Sequence, residues 1–138
     1  MSETGKRPVL VIGGTRGTGL LIVRLLHQRG YRVRVLARNT MTAATELDRS
    51  IEVVAGDLTK ADTLPAAVVD VDHIIFTAGA PSGRYAPERV VKATDYQGVV
   101  DTIAAARQSG FLGRFVYLNS IGIGTPSLAA TLINLLKR

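Results

Sequence analysis

The stretch Val9-Leu10-Val11-Ile12-Gly13-Gly14-Thr15-Arg16-Gly17-Thr18-Gly19-Leu20-Leu21-Ile22-Val23 decides the fold. A short apolar run of this kind reads as a strand covered on both faces. A glycine-rich turn follows, and then a helical pattern. That order leaves the first helical amides unpaired and pointing outward, with the positive end of the helix dipole behind them. Such a terminus accepts an anion, and a dinucleotide pyrophosphate fits it. Gly13, Gly17 and Gly19 carry the spacing G-x-x-x-G-x-G, with Thr15, Arg16 and Thr18 between them. Glycine is needed where backbone turns tightly, nears phosphate or lets a helix pack on a strand. A plain structural turn would use one or two of these glycines. Their position after a strand and before a helix points to a nucleotide.

Working outward, strands alternate with helices, which predicts a parallel sheet covered on both faces. Strands are expected at residues 9–12, 32–36, 51–54, 73–76 and 114–118, with helices at 18–29, 41–47, 61–69 and 87–109. A final apolar segment, 128–136, reads as helical. Gly30 and Gly110 stand where left-handed helix caps are expected. Val90, Val91, Val99, Val100, Ile103 and Ala104 give the longest helix its expected packing stripe. Right-handed crossovers lead to the strand order 3-2-1-4-5 in a three-layer α/β/α arrangement, with ligands beyond the strand carboxyl ends.

A chain of 138 residues, 46% of them hydrophobic, is expected to be one domain with a real core. It has no cysteine, so thiolate chemistry and disulfides are excluded. His27 and His73 lack ligand-like spacing and read as structural. The opening residues are polar, and the apolar run behind them is too short for a secretion signal or membrane span. This reads as cytoplasmic. The formal charge of +6 comes without a long run of like charges or a nucleic-acid motif. A solvated basic surface suited to an anionic cofactor is the simpler reading.

The expected strand ends present the residues that would read a cofactor. The second ends in Leu36-Ala37-Arg38-Asn39, where a site for NAD usually has a carboxylate on the ribose hydroxyls. A guanidinium there can instead pair with a 2′-phosphate, and Arg16 could close on it from the other side. This points to NADP(H), against the alternative of two exposed loop arginines. The third strand exits through Asp57-Leu58. Asp57 could accept from the adenine amine beside the Leu58 backbone, or cap the helix starting near Lys60. Ala78 and Gly79, after the fourth strand, are small enough for backbone to approach the ribose and nicotinamide, or for an ordinary turn. Ser120 follows the fifth strand. Its hydroxyl could stabilise charge on a substrate carbonyl, or merely satisfy loop backbone.

These residues resemble the short-chain dehydrogenase/reductase superfamily over nearly the whole chain. The likeness rests on residues 13–19, Asp57-Leu58, Thr77-Ala78-Gly79 and the segment 114–120. Asp95-Tyr96-Gln97-Gly98 before an alanine-rich helix resembles the atypical branch, including NmrA-like proteins. The resemblance implies an NADP-binding Rossmann domain. In active members it implies hydride transfer to a carbonyl- or flavin-like acceptor, with Ser120 as the catalytic hydroxyl. It also implies a Tyr-x-x-x-Lys about a dozen residues after that serine. Here Thr131-Leu132-Ile133-Asn134 occupy the region, and Lys137 has no tyrosine four residues before it. A sixth strand and substrate-covering segment are missing from the pattern. A C-terminally truncated member, or one with unusual chemistry, is expected: the NADP(H)-binding domain of an atypical short-chain reductase, or alternatively a non-catalytic NADP(H)-sensing or assembly module. The partners expected are a small-molecule substrate and a second copy of the chain, with neither nucleic acid nor membrane.

Overall fold

The computed structural model describes residues 7–79 and 92–118. Strands β1 (Val9–Ile12), β2 (Val33–Ala37), β3 (Glu52–Ala55), β4 (His73–Phe76) and β5 (Phe115–Tyr117) form one sheet in the order β3-β2-β1-β4-β5. Every pairing is parallel. This is the expected Rossmann-like arrangement. β2 and β3 each start and end one residue later than expected, and β5 is shorter at both ends.

Side chains alternate across the sheet and feed two cores. Leu10, Ile12, Ile74 and Phe76 pack on one face with Leu64, Val68, Ala105 and Ala106. Val11, Val33 and Val35 pack on the other with Val23, Ala43 and Leu47. Fully burying side chains of this size contributes roughly 1.5–3 kcal/mol each. β1 is central and all of its residues are buried, which is why its sequence shows no polar alternation.

Helix α1 (Gly17–Gln28) lies over the second core through Val23. It ends in a Schellman motif: the Gly30 amide donates to the His27 carbonyl and the Tyr31 amide to that of Leu26. Gly110 and Phe111 close α4 (Gly98–Gln108) in the same way on Arg107 and Ala106. Asn39 caps α2 (Thr40–Glu46), its side chain accepting from the Thr42 amide at 3.0 Å.

Two expectations are corrected. The helix at 61–69 is broken into a 3₁₀ turn, Ala61–Thr63, and the short α3, Pro65–Val68. Pro65 has no amide to continue a helix from behind, so the chain restarts with proline at its first turn. The segment at 87–109 is described only from Lys92, where a π-helical turn (Lys92–Gln97) precedes α4. Its packing stripe is only partly the expected one: Val99 packs against the first core, and Ala104 is exposed. Gly98, Thr102, Ala105 and Ala106 are buried, whereas Val100 and Ile103 are exposed. Small residues line the face of α4 that packs against α3 and the first core, and the Thr102 hydroxyl is satisfied by the Gly98 carbonyl at 2.6 Å. The segment 128–136 lies outside the described residues, as do Val90 and Val91.

Arg34 stands in the interior of β2 and is only 8% exposed. Its Nε meets Glu52 of β3 at 2.9 Å, and Nη1 donates to the carbonyls of Ala67 and Val69 at 2.9 and 2.6 Å. The guanidinium thus ties the sheet to the end of α3.

Candidate functional site

At the carboxyl edge of the sheet, the β1 turn lies between the exits of β2 and β4. Gly13 has a φ of +84°, and a Cβ on it would come within 2.6 Å of the Ala78 nitrogen. The turn therefore rests directly on the β4 exit. Thr77 holds that junction, because its amide and its hydroxyl both donate to the Ile12 carbonyl at 2.8 Å. Gly19 is buried behind the turn, where a Cβ would strike the Gly13 carbonyl oxygen and lie 2.5 Å from Thr77 Oγ1. Gly17 differs: its φ is +56°, and a Cβ there would meet nothing within 4 Å. It faces open space.

Arg16 is the extended residue ahead of α1, and its side chain makes no cap. The Leu20 amide is bonded to the Arg16 carbonyl at 3.2 Å. The amides of Gly17, Thr18 and Gly19 come before it and have no acceptor within the helix. Thr15 is half-buried in the turn, and Thr18 is exposed. The turn thus offers amide donors, a helix N-terminus and a free cation together.

The neighbouring exits bring further groups to the same edge. Arg38 follows β2 and is exposed; its guanidinium, like that of Arg16, makes no hydrogen bond among the described residues. The Gly56 amide donates to the Ala37 carbonyl at 3.1 Å, setting the β3 exit beside Arg38. Asp57 there is neither free nor a helix cap. Its Oδ1 accepts from the Thr59 amide and hydroxyl at 2.8 and 2.7 Å, closing a tight turn. Those bonds, helped by the charges of Arg38 and Lys60, hold its carboxyl below the ordinary carboxylate value. Leu58 and Ala78 are half-buried against the first core, and Gly79 is exposed. Ser120 lies outside the described residues.

Sequence reasoning gave no individual role to Thr59, Thr63, Thr77 or Gly14. Gly14 is buried with Val23 Cγ2 only 2.9 Å from where a Cβ would sit, so it is a packing residue. The threonines bond backbone or carboxylate groups, and a hydroxyl two residues after Asp57 was the readable hint. His27 lies 3.7 Å from Asp48, and the His73 Nδ1 accepts from the Arg114 amide at 3.1 Å. A depression of about 360 Å³, lined by Arg7, Asp70, His73 and Leu112 among others, opens at the amino ends of the strands. It lies at the opposite edge from the glycine turn. Among the described residues no helix is long and apolar enough to cross a membrane.

A parallel 3-2-1-4-5 sheet with a glycine turn at its central carboxyl edge defines an α/β domain of the Rossmann class. The chain belongs to the NAD(P)H-binding family, whose sequence profile matches residues 13–136. It is 38% identical over 103 residues to the chloroplastic protein High Chlorophyll Fluorescence Phenotype 244 of Arabidopsis thaliana, covering 74% of this chain and 25% of that protein. It is 30% identical over 111 residues to the photosystem II assembly factor Ycf39 of Synechocystis, covering 80% and 33%. The chain therefore spans a quarter to a third of these relatives' length. A short-chain dehydrogenase/reductase superfamily protein from Agrobacterium tumefaciens, solved with bound NAD, superimposes with a TM-score of 0.69 at 22% identity. That match covers 94% of this chain and 42% of the other, and shows the shared fold.

Proposed function

We propose that this domain binds NADP(H) in preference to NAD(H), as the cofactor domain of an atypical short-chain reductase. The observation that carries the reading is a pair of exposed arginines, Arg16 within the glycine turn and Arg38 at the neighbouring β2 exit, whose guanidinium groups make no hydrogen bond among the described residues. Gly13, Gly17 and Gly19, with Thr15 and Thr18, would hold the pyrophosphate. Arg38 and Arg16 would fork onto the 2′-phosphate, where a carboxylate would repel it. Asp57 and Leu58 would receive the adenine, and Ala78 and Gly79 the ribose and nicotinamide end. When bound, the nicotinamide supplies a hydride for a carbonyl- or flavin-like acceptor. Ser120 would orient that acceptor and stabilise charge developing on its oxygen. Solvent or substrate would provide the proton. The test is titration with both coenzymes. NADPH should bind about 10- to 100-fold tighter than NADH, the worth of a charge-assisted fork. Arg38→Asp should reverse the order, and equal affinities in the wild type would end the reading.

A second reading, a sensing or assembly module that binds NADP(H) without turning it over, has its own support. Two relatives are an assembly factor and a chloroplast protein named for a fluorescence phenotype, and no tyrosine occurs from Leu118 to Arg138. NADPH oxidation against carbonyl and flavin acceptors separates the two. Turnover lost in Ser120→Ala favours the reductase, whereas tight binding with no turnover favours the module. Self-association is supported by Tyr96, Val100 and Ile103, exposed at one-turn spacing along the π turn and α4. Sedimentation of Ile103→Lys beside the wild type tests it.

A further inference from the structure

The loop leaving β3 is fastened more thoroughly than an exposed loop needs. At its start, a Cβ on Gly56 would strike Leu36 Cδ1 and sit 3.3 Å from the Thr63 hydroxyl. At its end, Thr63 reaches back from the 3₁₀ turn. Its Oγ1 accepts from the Asp57 amide at 2.9 Å and donates to the Lys60 carbonyl at 2.7 Å, with the Asp57 carbonyl also in reach at 3.0 Å. One hydroxyl therefore touches both backbone polar groups of Asp57. Thr59 commits Oδ1 of the same residue. Among the described residues Oδ2 has no hydrogen-bond partner and no ion pair within reach.

We infer that Thr63 is a positioning residue for the adenosine end of the dinucleotide, acting through Asp57. This rests on the cofactor reading above. Thr63 fixes the Asp57 backbone, Thr59 fixes one carboxylate oxygen, and the other oxygen is left as a preset acceptor beside Arg38. An acceptor already held in place loses little freedom when a ligand arrives, so its bond is realised nearly in full. A hydroxyl that merely closed a turn would affect stability alone.

The experiment uses the full 138-residue chain with NADPH and with adenosine 2′,5′-bisphosphate, which carries only the adenosine end. Thr63→Val should weaken both ligands about tenfold, the loss expected for hydrogen bonds of ordinary strength. Thr63→Ser should bind like the wild type. On an Asp57→Ala background, Thr63→Val should add no further loss, since the two act as one unit. A folded Thr63→Val protein with wild-type affinity, or losses that simply add, would overturn the inference. If the valine variant does not fold, Thr63→Ala is measured in its place: a loss of about tenfold for both ligands that vanishes on the Asp57→Ala background supports it, and wild-type affinity or additive losses overturn it. Failure of the wild type to bind either probe or NADH overturns the cofactor reading itself, which no Thr63 result alone can do.

Discussion

Gly19 presses on Gly13 so closely that a Cβ at Gly19 would overlap the Gly13 carbonyl oxygen. This contact seats α1 against the end of β1, and it separates two glycines of one motif by role. Gly19→Ala must push the helix away from the strand, at about 3 kcal/mol by the usual cost of overpacking. Gly17→Ala meets no atom within 4 Å and carries only the strain of its positive φ, about 1–2 kcal/mol. Its methyl would enter the open space at the turn where the proposed phosphate lies, so coenzyme affinity should fall at least about tenfold in excess of what the stability loss explains. Urea unfolding and NADPH titration of both variants measure this. A Gly17→Ala protein that binds like the wild type would show that no phosphate lies over the turn.

Arg34 is the one buried charged residue among the described residues. Arg34→Met leaves the Ala67 and Val69 carbonyls without their guanidinium donor and Glu52 without its cation. Stability should drop by about 2–4 kcal/mol, chiefly from the stranded carbonyls. Arg34→Lys should recover little, because an ammonium cannot reproduce the planar fork. Glu52→Gln should cost under about 1 kcal/mol, because the carboxylate is half-exposed and screened. Chemical denaturation of the three variants orders them. A glutamine variant as unstable as the methionine variant would place the stabilisation in the ion pair instead of the carbonyls.

The strand order was legible because its causes are local: short apolar runs, glycine turns and the handedness of crossovers. Arg38 and Asp57 were legible for the same reason, since strand register alone brings their exits together. What escaped were contacts between distant residues. Thr77 bonds the Ile12 carbonyl 65 positions away, and no window of sequence contains both. Arg34 sits between Val33 and Val35 and resembles an outward residue of an alternating strand. β2 has covered faces on both sides, so the charge had to find partners inside. The packing face of α4 was read correctly at Val99 and misread at Val100 and Ile103, which hydrophobicity favours. Packing against α3 and the first core instead selects Gly98, Thr102, Ala105 and Ala106, which are small before they are apolar. For Asp57, both sequence readings missed its local use, since Thr59 takes the carboxylate before any helix begins.

The Asp57 carboxyl gives a pH test with a definite sign. Its folded value lies below the ordinary 3.8, chiefly because Thr59 donates two bonds to the ionised form. The stabilisation is therefore complete above the unfolded value and is lost as pH falls through the lower folded one. The carboxyl carbon resonance of Asp57 should titrate with a midpoint below 3.8 in the wild type. Thr59→Val should move that midpoint upward by removing the hydroxyl bond. A wild-type midpoint at or above the ordinary value would mean that the Thr59 bonds do not form in solution.

Salt should act unequally on the two coenzymes. If Arg16 and Arg38 grip a 2′-phosphate at an exposed edge, that attraction is screened by ions, whereas the pyrophosphate contacts are common to both ligands. Screening lengths shorten from about 30 Å at 0.01 M salt to about 3 Å at 1 M. The ratio of NADPH to NADH affinity should therefore fall several-fold across that range, while Arg38→Ala should flatten the dependence. Isothermal titration at a series of salt concentrations measures both slopes. A ratio that stays constant in the wild type would show that the preference does not come from these exposed guanidinium groups.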